Sequence, residues 1–123
     1  MRTNFIFYNA NPKYERIGDC VIRAISLALN KNYYDILYEL FSISNYFNCD
    51  MIVRDCYMNL LNNEYNLKNL DGMGKTVDEV VDDFRDNVLI MRLEGHLTMS
   101  KYGDVIDTWD TRNEIVDNFW IVE

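Results

Sequence analysis

The chain has 123 residues, 49% of them hydrophobic, which is enough for one globular domain with its own core. A net charge of -8 and a sequence pI near 4.5 argue against nucleic acid or an anionic membrane surface as partner. No apolar run is long enough to span a bilayer, and the Phe5-Ile6-Phe7-Tyr8 run is too short for a signal-peptide core and has no cleavage site after it, so the expected compartment is cytoplasmic. Three cysteines, an odd number, argue against a disulfide framework. With a single histidine, and with Cys49 and Cys56 too widely spaced for a zinc knuckle, neither metal nor cofactor is expected.

Taken in order, the chain opens with an extended segment from Asn4 to Tyr8 and a polar turn at Asn11-Pro12, where proline pushes Asn11 towards an extended backbone. Gly18-Asp19-Cys20 then starts a helix running to Asn30. Asp19 is a good N-cap, and beyond Cys20 only Arg23 and Ser26 break an almost continuous apolar surface, the mark of a buried central helix. Asn32 caps a second helix whose stripe Tyr33, Ile36, Leu37, Leu40 and Ile43 fades at Ser44-Asn45. Asp50 is placed to cap a third, with Ile52, Val53, Cys56, Tyr57, Leu60 and Leu61 inward and Cys56 as core packing. Residues 62–74, rich in Asn and Gly, read as a loop. Thr76-Val77-Asp78-Glu79 is a capping box for a fourth helix that turns Val77, Val80, Val81 and Phe84 inward.

The period then changes. Val88 to Leu93 is an apolar run broken only by Arg92, as in a strand covered on both faces. His96 to Lys101 and Asp104 to Trp109 form a hairpin about Tyr102-Gly103, and Ile115 to Val122 is a last strand. Helices followed by an antiparallel meander make an α+β domain spanning residues 1–123.

Three side chains stand out. Cys20 lies in a first helical turn, where unpaired N–H groups and the helix dipole favour its thiolate, a setting that suits a nucleophile and a small core residue equally well. The neighbouring Asp19 disfavours a second negative charge. His96 opens the first hairpin strand. With a two-residue loop Lys101 faces Asp104 and Thr98 faces Asp107, making His96 and Asp107 diagonal neighbours; a slip of one residue brings Asp110 to His96 instead. A thiol, an imidazole and a carboxylate in that order can generate and orient a thiolate–imidazolium pair.

Asn11-Pro12, the Gly18-Asp19-Cys20-Val21-Ile22-Arg23-Ala24-Ile25 segment, Gly95-His96-Leu97 and Tyr102-Gly103-Asp104-Val105-Ile106-Asp107-Thr108-Trp109-Asp110 resemble small papain-like cysteine peptidase-fold proteins of bacteriophages and low-GC Gram-positive bacteria. The Gly-Asp-Cys opening also resembles the peptidoglycan-cleaving, NlpC-type branch of that superfamily. The resemblance implies a helix bearing Cys20 packed on an antiparallel sheet bearing His96 and Asp107. Papain has an oxyanion-hole glutamine six residues before its cysteine; here that position is Tyr14. The backbone N–H of Cys20 can serve as one oxyanion donor and the Asn11 amide as another, although Asn11 is equally well a plain turn residue.

Two functions follow as expectations. One is a thiol hydrolase, a peptidase or amidase with the triad Cys20, His96 and Asp107 acting on a protein or peptide substrate. The other is a catalytically silent binding or inhibitor protein of phage type on the same fold, acting on a host protein partner. Its acidity and aromatic side chains, Tyr33, Tyr34, Tyr46 and Tyr65 among them, would then belong to an interface.

Overall fold

Asparagines in the left-handed conformation punctuate the helical half of the chain. In the computed structural model, which describes residues 1–123, α1 (Cys20–Leu29) stops at Asn30 and α2 (Tyr33–Phe47) at Asn48, with φ of 54° and 52°. Asparagine tolerates that conformation better than most residues, and each cap N–H returns to a carbonyl of the last turn. Asn32 caps α2, its side-chain oxygen accepting from the Tyr34 N–H at 2.8 Å. The helix continues past Ser44-Asn45 because each further residue adds a backbone bond once a helix has formed, so a fading stripe alone does not end it.

α3 (Arg54–Asn59) begins later than an Asp50 cap predicts. Asp50 instead accepts from the Ile52 N–H at 3.2 Å in a turn, and Val53 holds the cap position. Ile52 and Val53 are therefore 43% and 48% exposed rather than inward. Cys56 is fully buried, but it is joined to Cys49 in a disulfide, leaving Cys20 as the free thiol. An odd count rules out complete pairing, not a single bridge, and the α2–α3 turn brings the two Cα atoms to 5.8 Å. A π-helical turn, Leu60–Glu64, extends α3 and buries Leu60 and Leu61. α4 (Val77–Asp83) has the expected capping box: Thr76 accepts from the Glu79 N–H, and Glu79 accepts from the Thr76 N–H.

The strands are β1 (Asn4–Phe7), β2 (Lys68–Asp71), β3 (Val88–Leu93), β4 (His96–Lys101), β5 (Asp104–Asp107) and β6 (Asn118–Ile121). They form one six-stranded sheet in the order β1-β5-β4-β3-β6-β2. The fold is α+β, with four helices, and the sheet is mixed rather than wholly antiparallel, because β1 lies parallel to β5 with Phe7 beside Asp107. A strand and a partner so far apart in sequence need no tight hairpin, so nothing local constrains their direction. β6 is shorter than the 115–122 segment and pairs with β3 instead of continuing the meander past β5. β2 occupies residues 68–71, where a loop is expected; Lys-Asn-Leu-Asp has no apolar alternation and is a strand only because β6 pairs with it. Gly72 follows, and there a Cβ would stand 1.8 Å from the Val116 carbonyl oxygen, so this close approach of two backbones requires glycine.

β3 is covered on both faces, as its unbroken apolar run requires. Val88 and Ile90 join Leu97, Met99, Trp120 and the inner faces of α1, α2 and α3 in the larger core. Leu89, Met91 and Leu93 join Val105, Phe119 and α4 in the smaller one. Each fully buried aliphatic side chain of this kind contributes about 1.5–3 kcal/mol. Trp120, wholly buried, satisfies its indole N–H on Asn62 at 2.7 Å. Asp78 ties the start of β1 to α4, accepting from the backbone N–H groups of Arg2 and Thr3.

Candidate catalytic site

The site lies where the start of α1 meets one end of the β4–β5 hairpin. The hairpin loop is Tyr102-Gly103, with φ of 49° and 90°, the left-handed pair that suits a tight turn matched to strand twist. Lys101 accordingly faces Asp104, Ser100 faces Val105 and Met99 faces Ile106. Continuing that register sets Thr98 against Asp107, and the Asp107 Oδ2 accepts from His96 Nε2 at 2.7 Å. A carboxylate only accepts, so Nε2 carries the proton and Nδ1 is the nitrogen left for the thiol. Asp110 turns away, paired with the Arg112 guanidinium at 2.7 Å.

On its other side His96 lines the same cleft as Cys20, and the two groups are electrostatically coupled. Burial alone would raise the Cys20 thiol, but the nearby His96 imidazole, the Leu97 backbone and the positive charge of Arg23 bring it below the ordinary thiol range. His96 responds in the opposite sense. Burial disfavours its charge, yet the bond to Asp107 and the nearby Cys20 hold its pKa up at about 9. Asp107 is pushed up by burial and drawn further down by His96 and Thr98, so it stays ionised. A lowered thiol beside a raised imidazole is the electrostatic condition for a thiolate–imidazolium pair.

Arg23 is the member that motif reading passes over. Its Nε donates to Asp19 Oδ1 at 2.8 Å, and its Nη1 donates to Asp107 Oδ1 at 3.2 Å and to the Thr108 hydroxyl at 3.3 Å. One guanidinium thus compensates two carboxylates that are only 3% and 5% exposed as residues, each of which would be costly to bury unpaired. Its i, i+4 spacing from Asp19 is the available sequence signal. Asp19 keeps the cap position but makes no side-chain cap bond. Its carboxylate is occupied by Arg23, by the Asn11 amide at 2.9 Å and by the Tyr33 hydroxyl at 2.8 Å. Burial and the bond to Asp19 raise the Tyr33 pKa.

Asn11 is buried, with one amide hydrogen on Asp19 and its oxygen accepting from the Lys13 N–H. It braces the approach to α1. The backbone N–H groups of the first turn of α1, beginning with Cys20, have no acceptor within the helix. Tyr14 is 75% exposed and makes no side-chain hydrogen bond. Trp109, given no role in the 102–110 segment that carries the resemblance, lays its ring 5.0 Å from the His96 ring.

A cleft of about 260 Å³ opens over Cys20 and His96, walled by Val21, Ile52, Val53, Tyr57, Leu93 and two arginines. Behind the thiol, towards Asp107, the remaining void is about 10 Å³, room for no more than one water. A reactant therefore reaches Cys20 through the open cleft. No group of three or more His, Cys, Asp or Glu side chains is arranged to hold a metal ion, and no helix is long and apolar enough to cross a membrane.

Comparison with protein-family models, curated proteins and solved structures finds no match to this chain.

Proposed function

We propose that this chain is a papain-like thiol hydrolase that cleaves an amide bond through Cys20, His96 and Asp107. The observation that carries the reading is the placement of His96, whose Nε2 meets Asp107 at 2.7 Å while its ring lines the same cleft as the Cys20 thiol. The Cys20 thiolate attacks the carbonyl carbon and forms a C–S bond. The oxyanion that develops is met by the Cys20 backbone N–H. As the C–N bond breaks, the departing nitrogen takes the proton of the His96 imidazolium. A water then gives a proton to His96 and its hydroxyl to the thioester carbon, and the C–S bond breaks to restore the ion pair. Asp107 holds the imidazole in the tautomer and orientation this requires. The test is hydrolysis of peptide, isopeptide and cell-wall amide panels, with intact-mass detection of acyl-Cys20. Turnover that vanishes in Cys20→Ala supports the reading; no turnover, together with a Cys20 alkylation rate no faster than a free thiol's, overturns it.

A second reading is favoured by α2. Tyr34, Tyr38, Phe41, Tyr46 and Phe47 are each at least half exposed on it, more aromatic surface than a solvated helix face needs. On this reading the protein binds a host protein and tolerates Cys20→Ala without loss of binding.

A further inference from the structure

We propose that the Cys20 cleft selects acyl substrates carrying a carboxylate beside the scissile carbonyl, held by Arg54 and Arg92. This rests on the thiol hydrolase reading and specifies its substrate class. Both arginines line the same cleft as Cys20 and His96, and no Asp or Glu lines it, in a chain that carries 20 acidic residues against 12 basic ones.

The two differ in a way that suits a binding pair. Arg92 is held in place on β3: its Nη1 lies 3.4 Å from the Asn118 Oδ1 and 3.3 Å from the Asp117 Oδ2, leaving its side chain 27% exposed. Arg54, the first residue of α3, makes no ion pair within 4.0 Å and no side-chain hydrogen bond. An unpaired guanidinium lining the same cleft as an anchored one offers the planar fork that binds a carboxylate in bidentate fashion. The remaining walls, Val21, Ile52, Val53 and Leu93, are apolar and lower the local dielectric, which strengthens such a contact. The opposing effect is the overall charge of -8, which repels an anionic substrate at a distance. At physiological salt that repulsion is screened beyond about 8 Å, so the contacts within the cleft decide the preference.

The probes are the N-iodoacetyl derivatives of glutamate, glutamine and lysine, each with its α-carboxyl blocked as the primary amide so that only the side chain differs. In each, the Cys20 thiolate displaces iodide as the C–S bond forms. The glutamate derivative is expected to alkylate Cys20 about tenfold faster than the glutamine derivative, from one charge-assisted contact, and the lysine derivative is expected to be slowest. The glutamate-to-glutamine ratio should fall towards one in Arg54→Gln, whose position is exposed, and further in Arg54→Gln with Arg92→Gln, with melting temperatures confirming that the variants are folded. A ratio near one in the parent protein overturns the proposal, as does a tenfold ratio that survives in folded Arg54→Gln and in the double variant. Iodoacetamide separates the two levels. Rapid labelling of parental Cys20 near neutral pH with no glutamate preference leaves the hydrolase reading standing and removes the carboxylate; labelling no faster than a free thiol removes both.

Discussion

His96 Nε2 and Asp107 Oδ2 lie 2.7 Å apart although eleven residues separate them in sequence. That contact follows from a two-residue turn. Tyr102 and Gly103 close the hairpin in one register, and one residue more in the loop would have turned Asp107 to the other face of the sheet. The orientation of the imidazole, and with it the protonation of the thiol it faces, therefore depends on a turn at the far end of both strands.

The pH dependence of thiol reactivity should show the pairing directly. The Cys20 thiol is lowered and His96 is raised to about 9, so each shift favours the charged form of its group. The alkylation midpoint of Cys20 with iodoacetamide should lie below the pH at which an ordinary thiol ionises, about 8.5. His96→Gln removes the largest lowering influence and should move the midpoint of the rate profile upward. Stopped alkylation with peptide mapping gives the profile; an unchanged midpoint in the variant would falsify the pairing.

Removing the members singly should give unequal losses. Cys20→Ala and His96→Gln are expected to abolish turnover about equally, since neither works in the nucleophilic step without the other. Asp107→Asn should cost less in rate, because it orients the ring rather than attacking. Single-turnover rates of the three variants on whichever amide the parent cleaves provide the comparison, and equal residual rates in all three would contradict this division of roles.

Arg23→Gln is expected to destabilise the fold by about 3 kcal/mol, because Asp19 and Asp107 lose the charge that compensates their burial. Urea unfolding of parent and variant measures this. A change below about 0.5 kcal/mol, the usual size for a surface substitution, would mean that the guanidinium is not needed between the two carboxylates.

His96 also links stability to pH. Its folded pKa is raised above the unfolded value of 6.5, to about 9, so its contribution is fully present below about pH 6.5 and is lost as pH rises through about 9. The stability difference between the parent and His96→Gln should therefore shrink across that alkaline window. Denaturation midpoints at a series of pH values test the sign.

Reduction of Cys49–Cys56 should lower unfolding stability by about 2.5 kcal/mol on the chain-entropy account of so short a loop. The bridge closes the turn that supplies Ile52, Val53 and Arg54 to the cleft wall, so reduction should also raise KM more than it lowers kcat. Unfolding curves with and without a phosphine reductant, and the same pair of kinetic runs, report both effects.

What the sequence by itself determined is what short-range physics controls. The Cys20 helix, the capping box at Thr76 and Glu79, the twofold-covered β3 and the Tyr102-Gly103 hairpin each depend on residues a few positions apart, where periodicity, caps and turn residues act directly. The α+β class follows from the order of those elements. Tertiary structure decided the rest. β2 is a strand only because β6 lies beside it, and β1 runs parallel to β5 because no short loop constrains it. Cys49 and Cys56 meet because a turn after α2 folds back. The bracing of the candidate site is of the same kind. Asp19 looks like a helix cap from its neighbours, but Arg23, Asn11 and Tyr33 take its carboxylate once burial makes every unpaired charge expensive. Trp109 reaches His96 only after β5 ends at Asp107 and the chain turns. Burial and long-range pairing set those contacts, and neither is a property of any local stretch of chain.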